Sequence, residues 1–191
     1  MRFSLHPVRG ACARPRVLRG FTLVELMVTI AIAAILLGIA VPSFDGVMLS
    51  MKLTSYANNL VASTLLARSE AIKRNAVVSL CVSSDGSSCR TGGWEQGWIV
   101  MCNTSGDNTA CDPAGPNTMV IHHQPAVSSG WKITESSTIT SVSFQPTGTG
   151  ATSAMLTVCR ATPNVGSQER VVRISASGRP SVTKTANAAC S

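Results

Sequence analysis

Between Phe21 and Val41 the chain carries a single charge, Glu25, in a run that is otherwise apolar or small. About 20 helical residues at 1.5 Å each cover about 30 Å, the hydrocarbon thickness of a bilayer. A run of this kind is read as an anchor rather than as part of a soluble core. Its one carboxylate is the anomaly. An acid costs about 2.5–3.5 kcal/mol at mid-bilayer on insertion scales, and less near the interface. Something outside the run must compensate Glu25. Charged residues make up 13% of the chain, against about 25% in an ordinary soluble domain.

The residues before it are basic. Arg2, Arg9, Arg14, Arg16 and Arg19 precede Phe21 with no acid among them. Taking these five from the sixteen basic residues leaves eleven against nine acidic ones, so the formal charge falls from +7 to +2. The pI of about 9.4 therefore says little about partners of the remaining chain. Two readings fit residues 1–45. One is a secretory signal, with Gly38-Ile39-Ala40 as a small-x-small cleavage site; it leaves Glu25 without a purpose. The other starts from Arg19-Gly20-Phe21-Thr22-Leu23-Val24-Glu25-Leu26, which resembles the type III signal of type IV prepilins. That resemblance implies a prepilin peptidase cutting between Gly20 and Phe21 and methylating the new amine. It also implies that Glu25 pairs with a neighbouring subunit's N-terminal amine during assembly. Glycine suits the cut because the peptidase must approach that backbone closely.

Beyond Pro42 a helical pattern resumes. Leu53, Ala57, Leu60, Thr64, Ala67 and Ala71 fall on one stripe, with Val61, Leu65 and Ile72 beside it. Glu70 and Arg74 make an i,i+4 pair. The expectation is one helix of about 55 residues, its second half packed on a head, with Gly38 and Pro42 loosening it where it leaves the membrane. After Asn75 the texture changes to β-prone runs broken by Gly, Ser, Asn and Pro. Expected strands are 76–83, 97–102, 118–124, 138–145, 153–161 and 169–176, with loops at 84–93, 103–117 and 145–152. Trp94 and Trp98 read as core packing of helix against sheet.

Ala67-Arg68-Ser69-Glu70-Ala71-Ile72-Lys73-Arg74-Asn75, the strand with Cys81 that follows, and Trp94-x-x-Gly97-Trp98-Ile99-Val100 resemble the FimT and GspH group of minor pilins and pseudopilins. The implied fold class is α+β, the pilin fold: a long N-terminal helix packed on an antiparallel sheet. The implied domains are a leader at 1–20, an anchor and filament-core helix at 21–46, and a globular head at 47–191. The implied function is assembly or priming of a type IV pilus or a type II secretion filament, with other pilins and the prepilin peptidase as partners. The subunit would sit in the inner membrane, single-pass, with a periplasmic head, before assembly into a periplasmic pseudopilus or surface pilus.

Outside the leader's Cys12, six cysteines remain: Cys81, Cys89, Cys102, Cys111, Cys159 and Cys190. No two have Cys-x-x-Cys spacing and His122-His123 is an isolated doublet, so disulfides in an oxidising compartment are expected, with no metal and no cofactor. Cys159–Cys190 is the favoured pair, closing a loop worth about 3–4 kcal/mol in the chain-entropy model. Cys81–Cys89 and Cys102–Cys111 are expected as local bridges. No Gly-x-Ser-x-Gly or phosphate-loop pattern is present, and the chain is not expected to be an enzyme. One electrostatic feature stands apart. Arg160, Arg170, Arg173, Arg179 and Lys184 are opposed after residue 159 only by Glu169. Some FimT-type minor pilins take up DNA through arginines near the C-terminus. By resemblance, Gly178-Arg179-Pro180-Ser181 makes double-stranded DNA the alternative partner, although Ser181 stands where that element has a second arginine.

Overall fold

The computed structural model describes residues 20–103, 118–149, 152–162 and 168–187, with backbone alone at 39–45, 103, 118 and 119. Two units divide at Ser43 and Phe44. One helix, α1, spans Leu23–Arg74 and contributes to both.

Both ends of α1 are capped by local chemistry. At the start, Thr22 Oγ1 accepts the backbone N–H of Glu25 at 3.2 Å, one of the orphan donors of a first turn. Thr22-x-x-Glu25 is the sequence signature of a capping box. At the end, Asn75 takes a left-handed φ of 51°. The N–H of Ala76 reaches the carbonyl of Ala71, and that of Asn75 reaches Ile72. This paired pattern is a Schellman motif with asparagine in place of glycine. Glu70 binds Arg74 and Lys73, and the Arg74 guanidinium holds its carboxyl below the usual range.

In the second unit the expected stripe is the buried face. Leu49, Leu53, Ala57, Leu60, Thr64, Ala67 and Ala71 are buried, while Leu65 and Ile72 remain exposed on its flank. Two four-stranded antiparallel sheets receive it, rather than the one expected. The first comprises β1 (Val78–Val82), β2 (Gly97–Asn103), β3 (Thr118–Pro125) and β5 (Ser141–Phe144), in the order β3-β2-β1-β5. The second comprises β4 (Trp131–Glu135), β6 (Ala154–Arg160), β7 (Glu169–Ile174) and β8 (Pro180–Thr185), in the order β4-β6-β7-β8. Strands β4 and β8 were not expected. Residues 131–135 are a short run, and 180–185 open on proline and hold only one apolar side chain, Val182.

Alternation along β2 sends Trp98, Val100 and Cys102 into the main core with Leu80, Val142 and Phe144. Trp98 Nε1 donates to Ser63 Oγ on α1 at 2.9 Å, and Trp94 Nε1 donates to the Ile139 carbonyl at 2.9 Å. The opposite face of that sheet holds a smaller cluster of Cys81, Ile99 and Met101 with Val120 beside it. Over this cluster lies the loop closed by the Cys81–Cys89 disulfide, with 5.5 Å between Cα atoms. Met101 Sδ lies 3.2 Å from Cys89 Sγ. Cys102 and Cys159 are also disulfide-bonded; Cys111 and Cys190, their expected partners, lie outside the described residues.

The disulfide loop is organised by Asp85. Its carboxylate accepts the backbone N–H groups of Ser87 and Ser88 at 2.9 and 3.0 Å, the Ser83 and Ser88 hydroxyls, and the Arg90 guanidinium. These bonds, the Ser87 amide first among them, hold the carboxyl far below its ordinary range. A carboxyl whose folded pKa is depressed contributes stability above its unfolded value near 3.9, lost as pH falls through the folded value. Asp85 is therefore expected to stay ionised at pH 3, with its loop amides still protected. A residue-resolved titration that puts its midpoint near pH 4 would contradict this.

Candidate functional site: an exposed apolar helix with one carboxylate

The described part of the first unit has no core of its own. Phe21, Leu23, Val24, Leu26, Ile30, Ile35 and their apolar neighbours through Leu37 are 52–79% exposed. A helix that is apolar on every side is stable only inside lipid or protein. Among the described residues no helix is long and apolar enough to cross a membrane. The described side chains of the apolar run stop at Gly38. The remainder of the expected 21–46 anchor passes through residues 39–45, whose side chains lie outside the described set.

Gly20 and Phe21 precede the helix in irregular, exposed backbone, the form a peptidase needs in order to reach a peptide bond. Glu25 occupies the first turn, where the positive end of the helix dipole favours a carboxylate. Its backbone is used by Thr22, but its carboxylate meets no hydrogen-bond or ion-pair partner among the described residues. The apolar exterior of this segment thus carries one uncompensated charge, one turn from the new N-terminus that a cut after Gly20 would create. Sequence reasoning missed the role of Thr22, although the Thr-x-x-Glu spacing was there to indicate it.

The five cations do not come together, and strand register explains why. Adjacent strands pair Arg170 with Lys184 and Arg173 with Ser181. Arg170 shares the core-facing side of β7 with Val172 and Ile174, whereas Arg173 points the other way. Two corrections follow. Arg170, expected to meet phosphate, is buried; its guanidinium donates to Ser50 Oγ at 2.9 Å and to the Glu169 carbonyl at 3.0 Å. Arg160 is half-buried over the Trp131 ring, 5.7 Å from its centroid, and Trp131 meets Tyr56 of α1 edge-on. Glu169, the expected counter-charge, is buried and accepts the Thr185 hydroxyl at 3.2 Å. Arg173, Arg179 and Lys184 remain exposed. Arg179 leaves a tight turn in which Gly178 has a φ of +75°, as the Gly-Arg-Pro sequence leads one to expect.

Among the described residues no group of three or more metal-ligating side chains converges. The residues 67–75 that carry the resemblance serve structure: Arg68 Nε donates to the Gly148 carbonyl at 2.9 Å, Glu70 pairs with Arg74, and Asn75 ends the helix.

Known proteins agree with this architecture. The family profile described as "Type II transport protein GspH" matches residues 56–178, and that described as "Prokaryotic N-terminal methylation motif" matches residues 17–41. Pilin-like protein PilA1 of Thermus thermophilus is 41% identical over 68 residues, covering 36% of this chain and 42% of the relative, so the chain spans under half of that protein's length. The fold matches the type IV minor pilin FimU of Pseudomonas aeruginosa in two crystal forms. In one the TM-score is 0.54 at 22% identity, covering 74% of this chain and 97% of FimU. In the other it is 0.52, covering 73% and 100%. With a GspH profile over most of its length, a methylation motif at the expected place and a pilin fold, the chain belongs to the GspH family of type IV minor pilins and pseudopilins.

Proposed function

We propose that this chain is a prepilin cut between Gly20 and Phe21, held in the inner membrane by segment 21–46 with its head in the periplasm, and then drawn into a filament. Membership of the family implies assembly with other pilins, not enzymatic turnover. The observation that carries the finer reading is the exposed apolar helix with one carboxylate that meets no partner among the described residues. Lipid covers such a surface before assembly and neighbouring helices cover it afterwards. Once lipid is gone, Glu25 needs a cation inside the fibre, and the Phe21 amine of a neighbour supplies one. The disulfides support an oxidising compartment for the head.

Whether the fibre is a surface pilus or a secretion pseudopilus is a difference of machinery around the same subunit. The double-stranded DNA reading has less support. Phosphate binding adds up over several contacts along one track, and register sends Arg170 and Lys184 to one face and Arg173 to the other.

Intact-mass analysis of membrane-associated protein tests the processing step. The expected mature chain begins at Phe21 with a methylated amine. A chain beginning at Val41, after the Gly38-Ile39-Ala40 site, would overturn both the cut and the anchor.

A further inference from the structure

Strand β8 closes one edge of the second sheet, and among the described residues its ladder runs only to β7. The hairpin sets which of its main-chain groups are free. Ser175 N–H donates to the Arg179 carbonyl at 3.0 Å, so in an antiparallel ladder Ser181, Thr183 and Thr185 face β7, while Pro180, Val182 and Lys184 face away. Pro180 stands where no ladder bond is lost. The free edge therefore offers the N–H groups of Val182 and Lys184 and the carbonyls of all three outward residues. Beside it runs a groove of about 900 Å³ between β8 and the flank of α1, lined among others by Val47, Ser50, Met51, Asn58, Gln168 and Lys184.

Three features in and beside the groove point to an occupant. Met51 and Val47 in its lining are exposed, at 62% and 48%, and Val182, on the same face of β8 as Lys184, is 42% exposed. Among the described residues Lys184 is the one charged side chain in the lining, no acid faces it there, and it makes no ion pair. Beneath the rim, Arg170 reaches Ser50, adding a second positive group. Lysine and proline on an edge strand also serve to deter unwanted pairing. Deterrence accounts for Lys184 and Pro180. It does not account for Val47 and Met51 left bare on the α1 wall, or for the exposed Val182 beside Lys184 on β8.

We propose that β8 and the α1 flank from Gly46 to Asn59 form a docking groove for an extended acidic segment of a partner protein, added as a strand along β8. Two outward N–H groups suit a short segment of about five residues. Its inward side chains would cover Val47 and Met51, and an Asp or Glu would meet Lys184. Its test reads peptide binding at β8 and does not depend on filament entry.

The experiment titrates the full mature chain in detergent micelles with a capped hexapeptide, Thr-Val-Asp-Val-Asp-Thr, and with its counterpart bearing lysine for aspartate, following backbone amide shifts. The acidic peptide is expected to shift the amides of Val182 and Lys184, and the lysine peptide is not. Lys184→Glu should reverse that preference, by about fivefold in Kd for each peptide. Val182→Pro removes an outward donor while sparing the β7 ladder, and should abolish binding with the circular dichroism unchanged. Absence of shifts at Val182 and Lys184 would overturn the proposal, as would acidic-peptide binding that survives Val182→Pro. Self-association of Lys184→Ala with no peptide response in the unmodified chain would mark β8 as a guarded edge only.

Discussion

Filaments sheared from cells expressing the Glu25→Ala variant are expected to contain almost none of it, although the variant is made, processed and folded. The carboxylate lies in the first turn of the helix; in the proposed membrane-held subunit it would sit near the interface, where water and the helix dipole support it. In the proposed fibre both would be replaced by neighbouring apolar side chains. Removing one member of a buried ion pair costs about 3–5 kcal/mol, because the other charge is left stranded. At about 1.4 kcal/mol per tenfold, incorporation falls by about two to three and a half orders of magnitude. Glu25→Gln should behave similarly, since the amide keeps the size but not the charge. The helix start survives in either variant, because Thr22 Oγ1 bonds the backbone of residue 25 rather than its side chain. Quantitative immunoblotting of sheared and membrane fractions measures the effect. Wild-type amounts of Glu25→Ala in the fibre would refute the pairing.

Trp98→Ala is expected to destabilise the head by about 3–5 kcal/mol, the range for deleting a buried large aromatic. Domains of this size hold about 5–15 kcal/mol in total, so a large share of the stability goes with one side chain. Trp98 is fully buried and bridges the two layers, its ring in the core with Leu80 and Phe144 and its Nε1 bonded to Ser63 of α1. Alanine both leaves a cavity and orphans the Ser63 hydroxyl. Trp98→Phe separates these effects: it keeps most of the apolar volume, and the lost hydrogen bond costs about 1–3 kcal/mol. Adding Ser63→Ala to Trp98→Phe should recover part of that loss, since no hydroxyl is then left buried and unpaired. Denaturant unfolding of the full chain in detergent measures all four proteins. A change below about 1 kcal/mol for Trp98→Ala would contradict the bridging role.

Much of the architecture can be read locally because its determinants are local. The apolar run and the stripe from Leu53 to Ala71 repeat at the helical period, and the helix and its buried face follow from that. The six expected strands all have counterparts in β1, β2, β3, β5, β6 and β7. The Glu70–Arg74 pair and the turn at Gly178 likewise involve residues within one turn of each other. Cys81–Cys89 spans eight positions and is present as expected.

What depended on distant partners was not legible. Residues 180–185 form a strand because β7 supplies the ladder, not because Ser181, Thr183 and Lys184 favour one. Two sheets rather than one arise because β5 pairs with β1 while β4 pairs with β6, a choice among edges far apart in sequence. The cation cluster is the clearest case. Along the chain, Arg160, Arg170, Arg173, Arg179 and Lys184 look like one basic patch. Strand alternation reverses a side chain's direction at each residue; Arg170 is therefore drawn under Ser50, and Arg173 is turned to the opposite face. Composition and periodicity were sufficient for the apolar start of the helix, its lone carboxylate and the helical core face. Only tertiary pairing decided which charges stay in water, because burial belongs to a face and the register assigns the face.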